Sequence, residues 1–262
     1  MLTRDQRVVT LDGGINFRDL GGYKTRNGRL VVWRKLLRSG HLAHLSTNDL
    51  SVLKDIGVNE VHDFRREDEQ ARSPSKLVEA NISSDYYISL GSLSRFWDFL
   101  HEGKLTNRSA HDLVVTSYRD CIQDIVPMYT KFMQAILDNA KGTSLFHCSA
   151  GKDRTGIVAA LILAALEVPR DTIIEDYLLT QQYLDSKHLL KIVEQHLVEA
   201  KVEFWEREWL IPYCTVHKEN IQAFFDSIDE SYGSIEAYLD HALSFGKHDR
   251  KRLQELFLES FK

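Results

Sequence analysis

The chain has 262 residues, of which 43% are hydrophobic and 27% charged, and its formal net charge is -5. These values are ordinary for a soluble globular protein, and the length suits one α/β domain with elaborations. The negative charge argues against nucleic-acid binding, which normally needs a basic face. We expect no transmembrane segment, and residues 1–10 lack the apolar run of a signal peptide. A cytoplasmic location is therefore predicted, with a removed leader as the alternative.

The cysteines are three in number and widely and irregularly spaced, which is typical of neither a disulfide framework nor a zinc site. We expect Cys121 and Cys214 to be small, buried apolar residues, as free cysteines usually are. Cys148 differs from them because it stands in a distinctive motif. A reducing cytoplasm would keep such a thiol active.

The first quarter of the chain predicts a strand–helix–strand unit. Residues 30–33 and 36–38 are interpreted as short strands. Ser46 opens a stretch with the cap-and-acid spacing of a helix start, and Gly57 stands where a helix C-cap belongs. Residues 58–64 then resemble a buried strand.

The middle of the chain is predicted to be more irregular. Residues 86–90 are a further strand candidate, and residues 92–113 are interpreted as a loop or a short helix. From Tyr118 to Leu137 the apolar residues fall at helical spacing. Pro127 lies inside this stretch and should kink the helix or start a second one.

The remaining elements complete the predicted fold. Residues 144–147 form a strand that leads into a loop, and residues 157–166, apolar on every face, are typical of a helix buried in the core. Pro169 marks the start of another helix, and residues 181–262 are largely helical. We therefore predict an α/β fold with a central, mostly parallel sheet flanked by helices, a helical C-terminal third and a single domain over residues 1–262.

The loop between the predicted strand and the core helix carries the strongest functional signal. Cys148 and Arg154 are separated by five residues, and Gly151 lies between them. A strand, a tight loop and a helix N-terminus together turn several backbone N–H groups and a helix dipole toward one bound anion. The same donors stabilise a thiolate, so we expect Cys148 to be a nucleophile at neutral pH.

The chemistry that this loop predicts is phosphoryl transfer. Cys148 would attack phosphorus and form a phosphocysteine intermediate, while the guanidinium of Arg154 would hold two phosphate oxygens. The predicted phosphate-binding residues are Ser149, Ala150, Gly151, Lys152, Asp153 and Arg154. Thr155 would donate a hydrogen bond to the departing sulfur, or would only cap the helix.

A general acid must protonate the leaving oxygen, and Asp153 is the nearest candidate. The alternative for Asp153 is an ion pair with Arg154 that shapes the loop. Asp63 and Arg65 follow a strand at the edge where α/β proteins place their sites. Asp63 is therefore a rival acid, although a structural pairing is favoured for it. His147 is expected to order the loop from behind.

Three blocks of the chain together resemble the bacterial cysteine-based tyrosine phosphatase family, similar to the mycobacterial and listerial phosphatases that accept both phosphoproteins and phosphoinositides. They are the loop, residues 16–23 (Asn-Phe-Arg-Asp-Leu-Gly-Gly-Tyr) and residues 175–180 (Glu-Asp-Tyr-Leu-Leu-Thr). Residues 61–65 resemble the family's strand ending in Asp-Leu-Arg, with Phe64 in place of the leucine. The resemblance covers nearly the whole chain.

The resemblance implies roles for several residues and the absence of any metal or other cofactor. Cys148 would be the nucleophile, Arg154 the phosphate clamp and Asp153 the general acid. Lys152 beside Gly151 is similar to the loop of lipid phosphatases, where the lysine contacts extra phosphates. Arg18 would support the wall of the site. Residues 181–209 are a candidate helical flap over the site.

The predicted function is hydrolysis of phosphate monoesters by a protein-tyrosine phosphatase of relaxed specificity. Its partners would be phosphotyrosine-containing proteins or peptides, with phosphate- or vanadate-like oxyanions as inhibitors. A phosphoinositide phosphatase using the same site is the alternative. A non-catalytic phospho-binding module is a remoter one, because such modules usually lose the cysteine or the arginine. A rhodanese-type sulfur transferase is disfavoured by Arg154, Thr155 and Gly156 at the helix start.

Overall fold

The fold is organised around one five-stranded sheet in a computed structural model that describes residues 7–77, 82–86, 94–139 and 142–259. The strands are β1 (Arg18–Asp19), β2 (Leu36–Ser39), β3 (Val58–Asp63), β4 (Ser83–Tyr86) and β5 (Thr143–His147). Their order across the sheet is β1-β2-β5-β3-β4. Only β1 is antiparallel to its neighbour, and the other four strands run parallel.

Helices cover the sheet and make up most of the second half of the chain. They are α1 (Thr47–Ile56), α2 (Glu67–Arg72), α3 (Ser94–His101), α4 (Asn107–Asp120), α5 (Val126–Asp138), α6 (Asp153–Ala165), α7 (Arg170–Leu178), α8 (Thr180–Tyr183), α9 (Ser186–Glu199), α10 (Arg207–Cys214), α11 (Lys218–Tyr232), α12 (Ile235–His241) and α13 (Lys247–Phe257). The predicted α/β fold with a helical C-terminal third is confirmed.

Two hydrophobic cores lie on the two faces of the sheet, because successive side chains of a strand point to opposite sides. Leu145 belongs to the smaller core, together with Leu50 and Leu53 of α1. Phe146, the next residue of β5, belongs to the larger core that contains most of the helices. The sheet is thus buried on both sides, as parallel sheets require.

The register of the central strand, β5, aligns the carboxyl ends of the neighbouring parallel strands. His147, the last residue of β5, pairs with Ser39 on one side and with Asp63 on the other. The carboxyl ends of three parallel strands therefore lie at one level, and the Cys148 loop begins there. This is the edge of an α/β sheet at which ligands are usually bound.

Several predicted boundaries are confirmed. The Ser46 side chain accepts a hydrogen bond from the Asp49 amide at the start of α1, and Gly57 ends that helix with φ 88°. Pro127 lies in the first turn of α5, so it starts a second helix rather than kinking one. Pro169 is the N-cap of α7.

Two expectations about secondary structure are wrong. Residues 30–33 do not form a strand: Leu30 and Val31 make isolated bridges to two different segments, to Lys24 and Leu258. The described part of residues 92–113, expected to be a loop or one short helix, contains α3 and the first half of α4, which are two helices. The overlooked signal for the start of α4 is the N-cap residue Thr106. Its hydroxyl oxygen accepts a hydrogen bond from the Ser109 amide. Of the predicted strand at 86–90, only Tyr86 lies within the described residues, at the end of β4.

Candidate active site

The Cys148 loop runs from the end of β5 to the first turn of α6. Cys148 is 2% exposed and Arg154 is the second residue of the helix. Gly151 adopts φ 67°, a left-handed conformation, and a Cβ there would lie 2.5 Å from the carbonyl carbon and oxygen of Ser39. Only glycine fits this position, so its place between the cysteine and the arginine follows from the shape of the loop.

Glu69 of α2 holds the guanidinium of Arg154. The two groups make a bidentate pair, with Nη1 2.7 Å from Oε2 and Nη2 2.8 Å from Oε1. Ser149 also donates its hydroxyl hydrogen to Glu69 Oε1, at 2.6 Å. One carboxylate therefore joins the second residue of the loop to the arginine at its end.

The pKa values of this pair reflect their mutual stabilisation. Burial by itself would raise the pKa of Glu69, but the hydrogen bonds and charge of Arg154 outweigh it and lower the pKa to about 2. Burial opposes the charge of Arg154 as well, yet the bonds to Glu69 and the proximity of Cys148 raise its pKa above the ordinary value. Both groups are therefore ionised across the physiological pH range.

The hydrogen-bond count of Arg154 leaves one side of the guanidinium available. A guanidinium has five N–H donors. Nη1 uses both of its hydrogens, on Glu69 and on the carbonyl of Phe64 at 2.9 Å, and Nη2 uses one on Glu69. Nε–H and the second Nη2–H make no hydrogen bond with any described residue. Two adjacent donors of this kind match two oxygens of a phosphate.

Asp153 does not pair with Arg154, so the predicted alternative role for it is not found. Its Oδ1 accepts a hydrogen bond of 2.5 Å from the Tyr118 hydroxyl, and its Oδ2 lies 3.1 Å from Lys152 Nζ. The side chain of Asp153 is 19% exposed. The carboxyl group is thus oriented from two sides while part of it reaches solvent.

Lys152 is buried, with 2% of its surface exposed. Its ammonium donates to the carbonyls of Tyr213 and of Thr215, the latter at 3.2 Å, in addition to its contact with Asp153. Two of the three ammonium hydrogens are used in these hydrogen bonds, and the charge of the ammonium is paired with the Asp153 carboxylate. A phosphate would therefore have to compete with Asp153 for this ammonium.

A buried network supports the loop from behind, and it brings together the sequence blocks at residues 16–23 and 175–180. The carbonyl of Gly151 accepts hydrogen bonds from Asn16 at 2.9 Å and from Arg38 at 3.0 Å. Arg38 in turn lies 2.6 Å from a carboxylate oxygen of Asp176. Arg18 donates to Asn16, and its Nη2 lies 3.2 Å from the backbone carbonyl of Asp176.

The charges of this network depend on one another. Burial would raise the pKa of Asp176, but the charges of Arg38 and Arg18 lower it below its ordinary value. Burial and the neighbouring charge of Arg38 lower the pKa of Arg18 to about 9. Arg18 thus contacts Asn16 and Asp176, both of which belong to the network behind the loop, and its role in the wall of the site stays a prediction.

Asp63 forms a second buried ion pair, with Arg65. Its carboxylate binds Arg65 through two oxygens, at 2.7 and 2.9 Å, and lies 3.6 Å from His147 Nε2. The other ring nitrogen of His147 lies 3.1 Å from the Cys148 carbonyl oxygen. Burial lowers the pKa of His147 to about 4, so the ring is neutral near pH 7. The expected structural pairing of Asp63 is confirmed.

Thr155 makes neither of the contacts expected for it. The Thr155 hydroxyl is buried and makes no hydrogen bond with any described residue, the Cys148 sulfur included. The N-cap of α6 is Lys152, so Thr155 is not a cap. Residues 181–209 contain α9 and the start of α10, and the loop contact with Lys152 lies just beyond them, at Tyr213 and Thr215. A flap over the site stays a prediction.

Three residues of the site were missed from the sequence. Glu69 belongs to the acidic run Glu67–Glu69, which has the composition of an ordinary solvated helix face. Tyr118 belongs to the helical pattern of apolar residues, which predicted a core position and gave no indication of a hydrogen bond from its hydroxyl. Arg38 was counted only as part of a short strand. In each case a contact distant in sequence gives the residue its place.

The Cys148 loop lies at the carboxyl edge of the parallel strands, where α/β proteins usually bind their ligands. In a comparison with known proteins, the model of the tyrosine phosphatase family matches residues 9–259. The chain belongs to this family and is a hydrolase.

Similar proteins come from several bacteria. A Cupriavidus necator protein named "Putative tyrosine-protein phosphatase" is 30% identical over 233 residues, covering 87% of this chain and 81% of its own length. The triple specificity protein phosphatase PtpB of Mycobacterium tuberculosis is 28% identical, covering 90% of this chain and 94% of its own. A tyrosine-protein phosphatase of Nostoc commune is 30% identical over 58% of this chain and 50% of its own length.

Among solved structures, TpbA of P. aeruginosa shares 15% identity with a TM-score of 0.32, over 57% of this chain and 71% of TpbA. That TM-score is too low to support an argument. Within the described residues, no helix is both long and apolar enough to cross a bilayer.

Proposed function

We propose that the protein is a protein-tyrosine phosphatase that acts through a phosphocysteine intermediate on phosphotyrosine-containing proteins or peptides. The observation that carries this proposal is the guanidinium of Arg154. Glu69 and Phe64 occupy its far end, and two adjacent donors are left beside the loop that holds Cys148.

In the first step, the Cys148 thiolate attacks phosphorus and an S–P bond forms. The P–O bond to the tyrosyl oxygen breaks, and that oxygen takes a proton from Asp153. The two available donors of Arg154 and the amides at the start of α6 hold the phosphoryl oxygens as their charge develops. Glu69 keeps the arginine in the required orientation.

In the second step, the S–P bond is hydrolysed. Asp153, now a carboxylate, removes a proton from water, and the water oxygen bonds to phosphorus. The S–P bond breaks, and inorganic phosphate leaves with the Cys148 thiolate restored. The side chains in this cycle are Cys148, Arg154 and Asp153, and neither step needs a metal or another cofactor.

Asp153 is proposed as the acid rather than Asp63 because of their surroundings. The Asp63 carboxylate is fully buried and bound to Arg65, whereas the Asp153 side chain is 19% exposed. The roles of acid and then of base both need a carboxyl group that a substrate can approach. The partial exposure of Asp153 supports this role for it, and the complete burial of Asp63 argues against Asp63.

A protein substrate is favoured over a phosphoinositide because the ammonium of Lys152 already binds three oxygens. The relaxed specificity expected from the sequence rests on the likeness to PtpB, whose name includes triple specificity. We keep phosphotyrosine as the principal substrate class.

Replacement of the nucleophile tests the proposal. We expect Cys148→Ser to abolish turnover of phosphotyrosyl peptide while leaving binding of the peptide measurable by calorimetry. Cys121→Ser is the matched control, because Cys121 is buried and burial raises its pKa to about 12. Orthovanadate should inhibit the wild type competitively. Undiminished turnover by Cys148→Ser would end the proposal.

A further inference from the structure

Three buried polar side chains are connected end to end behind Asp153. The Tyr118 hydroxyl oxygen lies 2.5 Å from Asp153 Oδ1 and 2.7 Å from the Tyr177 hydroxyl oxygen. The side-chain nitrogen of Asn220 lies 3.5 Å from the Tyr177 hydroxyl oxygen. The chain of contacts therefore crosses from α11 through α7 and α4 to the loop.

The direction of every hydrogen bond in this chain follows from donor arithmetic. An ionised carboxylate only accepts, so Tyr118 must donate its one hydrogen to Asp153. Tyr177 must then donate to the Tyr118 oxygen, because Tyr118 has no hydrogen left. Asn220 donates to the Tyr177 oxygen by the same argument. All three bonds therefore point toward the carboxylate.

The tyrosines keep their hydrogens throughout the working pH range. Burial, followed by the charge of Asp153, raises the pKa of Tyr118 well above its ordinary value, and Tyr177 is shifted in the same direction by the same causes. The other titratable groups that interact with the Asp153 charge are Lys152, Tyr213, Cys121 and Cys214. Burial raises the pKa of both cysteines to about 12, and that of Tyr213 too is raised. Lys152 is the one cation among them.

We infer that Tyr118, supported by Tyr177, is a positioning residue for the acid–base step: its hydrogen bond fixes the orientation of the Asp153 carboxyl group. This inference rests on the proposed function of Asp153. Tyr118 would act on the proton that reaches the leaving oxygen and would leave phosphate binding to Arg154 and the amides. Removing its hydroxyl should therefore change proton transfer and not affinity.

The variant Tyr118→Phe tests this inference through the pH dependence of kcat/KM. The alkaline limb of that profile reports a group that must be protonated. Loss of a hydrogen bond that favours the carboxylate should move the limb upward by about one pH unit. We expect Tyr177→Phe to move it in the same direction by less, because Tyr118 keeps its bond to Asp153.

The leaving group provides a second readout. A phenolate leaving group needs the acid, whereas p-nitrophenolate departs with little protonation. We expect Tyr118→Phe to lower kcat/KM about tenfold for phenyl phosphate and much less for p-nitrophenyl phosphate, with KM unchanged for both. A loss of equal size for both substrates would indicate a merely structural role and overturn the inference.

Tyr238→Phe is the matched control. Tyr238 is also fully buried, and its hydroxyl donates to the carbonyl of Ile122 at 2.6 Å, with no contact to Asp153. The control should lose comparable stability without any shift of the alkaline limb. An unchanged limb in Tyr118→Phe would refute the inference, as would a limb displaced downward.

Two single variants, Cys148→Ser and Asp153→Asn, separate this failure from failure of the proposed function. If Cys148→Ser is inactive and Asp153→Asn has lost the alkaline limb, the proposed function stands whatever Tyr118→Phe does. If Asp153→Asn keeps the limb, the assignment of the acid is wrong and the inference about Tyr118 falls with it.

Discussion

The two sides of the Cys148 loop are held by ionic contacts of different kinds. In front, Glu69 binds Ser149 and Arg154. The Glu69 side chain is 13% exposed and the Arg154 side chain is 18% exposed. Behind, Arg38 and Asp176 form a pair that solvent barely reaches, and Arg38 binds a backbone carbonyl of the loop. The front contact orients the side chain that would meet phosphate, whereas the rear contact fixes the backbone.

This difference predicts that damage behind the loop affects folding and damage in front affects catalysis. A buried charge that loses its partner is strongly destabilising, because its desolvation is no longer offset. A partly exposed group can recruit water when its partner is removed. The variants below test this separation, beginning with the largest expected effect.

Asp176→Asn should destabilise the protein most. The substitution leaves the buried guanidinium groups of Arg18 and Arg38 without their carboxylate, so the free energy of unfolding should fall by about 3 kcal/mol. Chemical denaturation at neutral pH measures it. The control is Asp229→Asn. Asp229 pairs with Arg170 at the surface, where the two side chains are 38% and 34% exposed. The control should cost less than about 1 kcal/mol, and equal losses would remove the distinction.

Glu69→Gln should have the opposite profile. We expect kcat/KM for phosphotyrosyl peptide to fall about a hundredfold, since the guanidinium loses its ionic partner and its orientation relative to the loop. The free energy of unfolding should also fall, but by less than in Asp176→Asn, because the Glu69 and Arg154 side chains are partly exposed. Glu67→Gln, in the same helix but exposed, is the control and should retain full activity. If Glu69→Gln lost as much stability as Asp176→Asn and kept the wild-type kcat/KM, the role of Glu69 in orienting Arg154 would be contradicted.

The Glu69 pair also has a pH signature. Its folded-state pKa of about 2 lies below the ordinary 4.5, so the pair contributes stability that is present above about pH 4.5 and is lost as the pH falls toward 2. The difference in unfolding free energy between wild type and Glu69→Gln should therefore be constant from pH 5 to 7 and shrink in acid. A difference that is independent of pH would show that Glu69 acts without its charge.

The smallest effect concerns Lys152 and substrate choice. Because its ammonium binds Asp153, Tyr213 and Thr215, we expect Lys152→Met to change kcat/KM for a phosphotyrosyl peptide and for a phosphoinositide by the same factor. The ratio of the two values is the measurement. A selective loss of the lipid activity would instead support the phosphoinositide alternative.

The sequence predicted those parts of the molecule that depend on local signals. The capping box at Ser46, the glycine at 57 and the strand–loop–helix around Cys148 each follow from a few adjacent residues, and all of them are found. The fold class followed from the alternation of these elements. Residues 92–113 were misjudged because polar and aromatic residues obscured the cap at Thr106.

The site itself was only half predictable. Cys148, Arg154 and Gly151 lie in one motif, and their spacing is dictated by the loop. Glu69, by contrast, is recruited by a contact 85 residues away along the chain, and Tyr118 meets Asp153 across a separation of 35. Nothing in the local sequence distinguishes that glutamate from an exposed one, or that tyrosine from a core residue.

The most direct test of the account is to identify the atom that carries phosphate during turnover. Wild-type enzyme mixed with a ³²P-labelled phosphotyrosyl peptide and quenched within the first turnover should carry label on Cys148, located by peptide mapping. The Cys148→Ser protein should carry none. Label on any other residue, or wild-type turnover with no labelled protein at any quench time, would contradict the account.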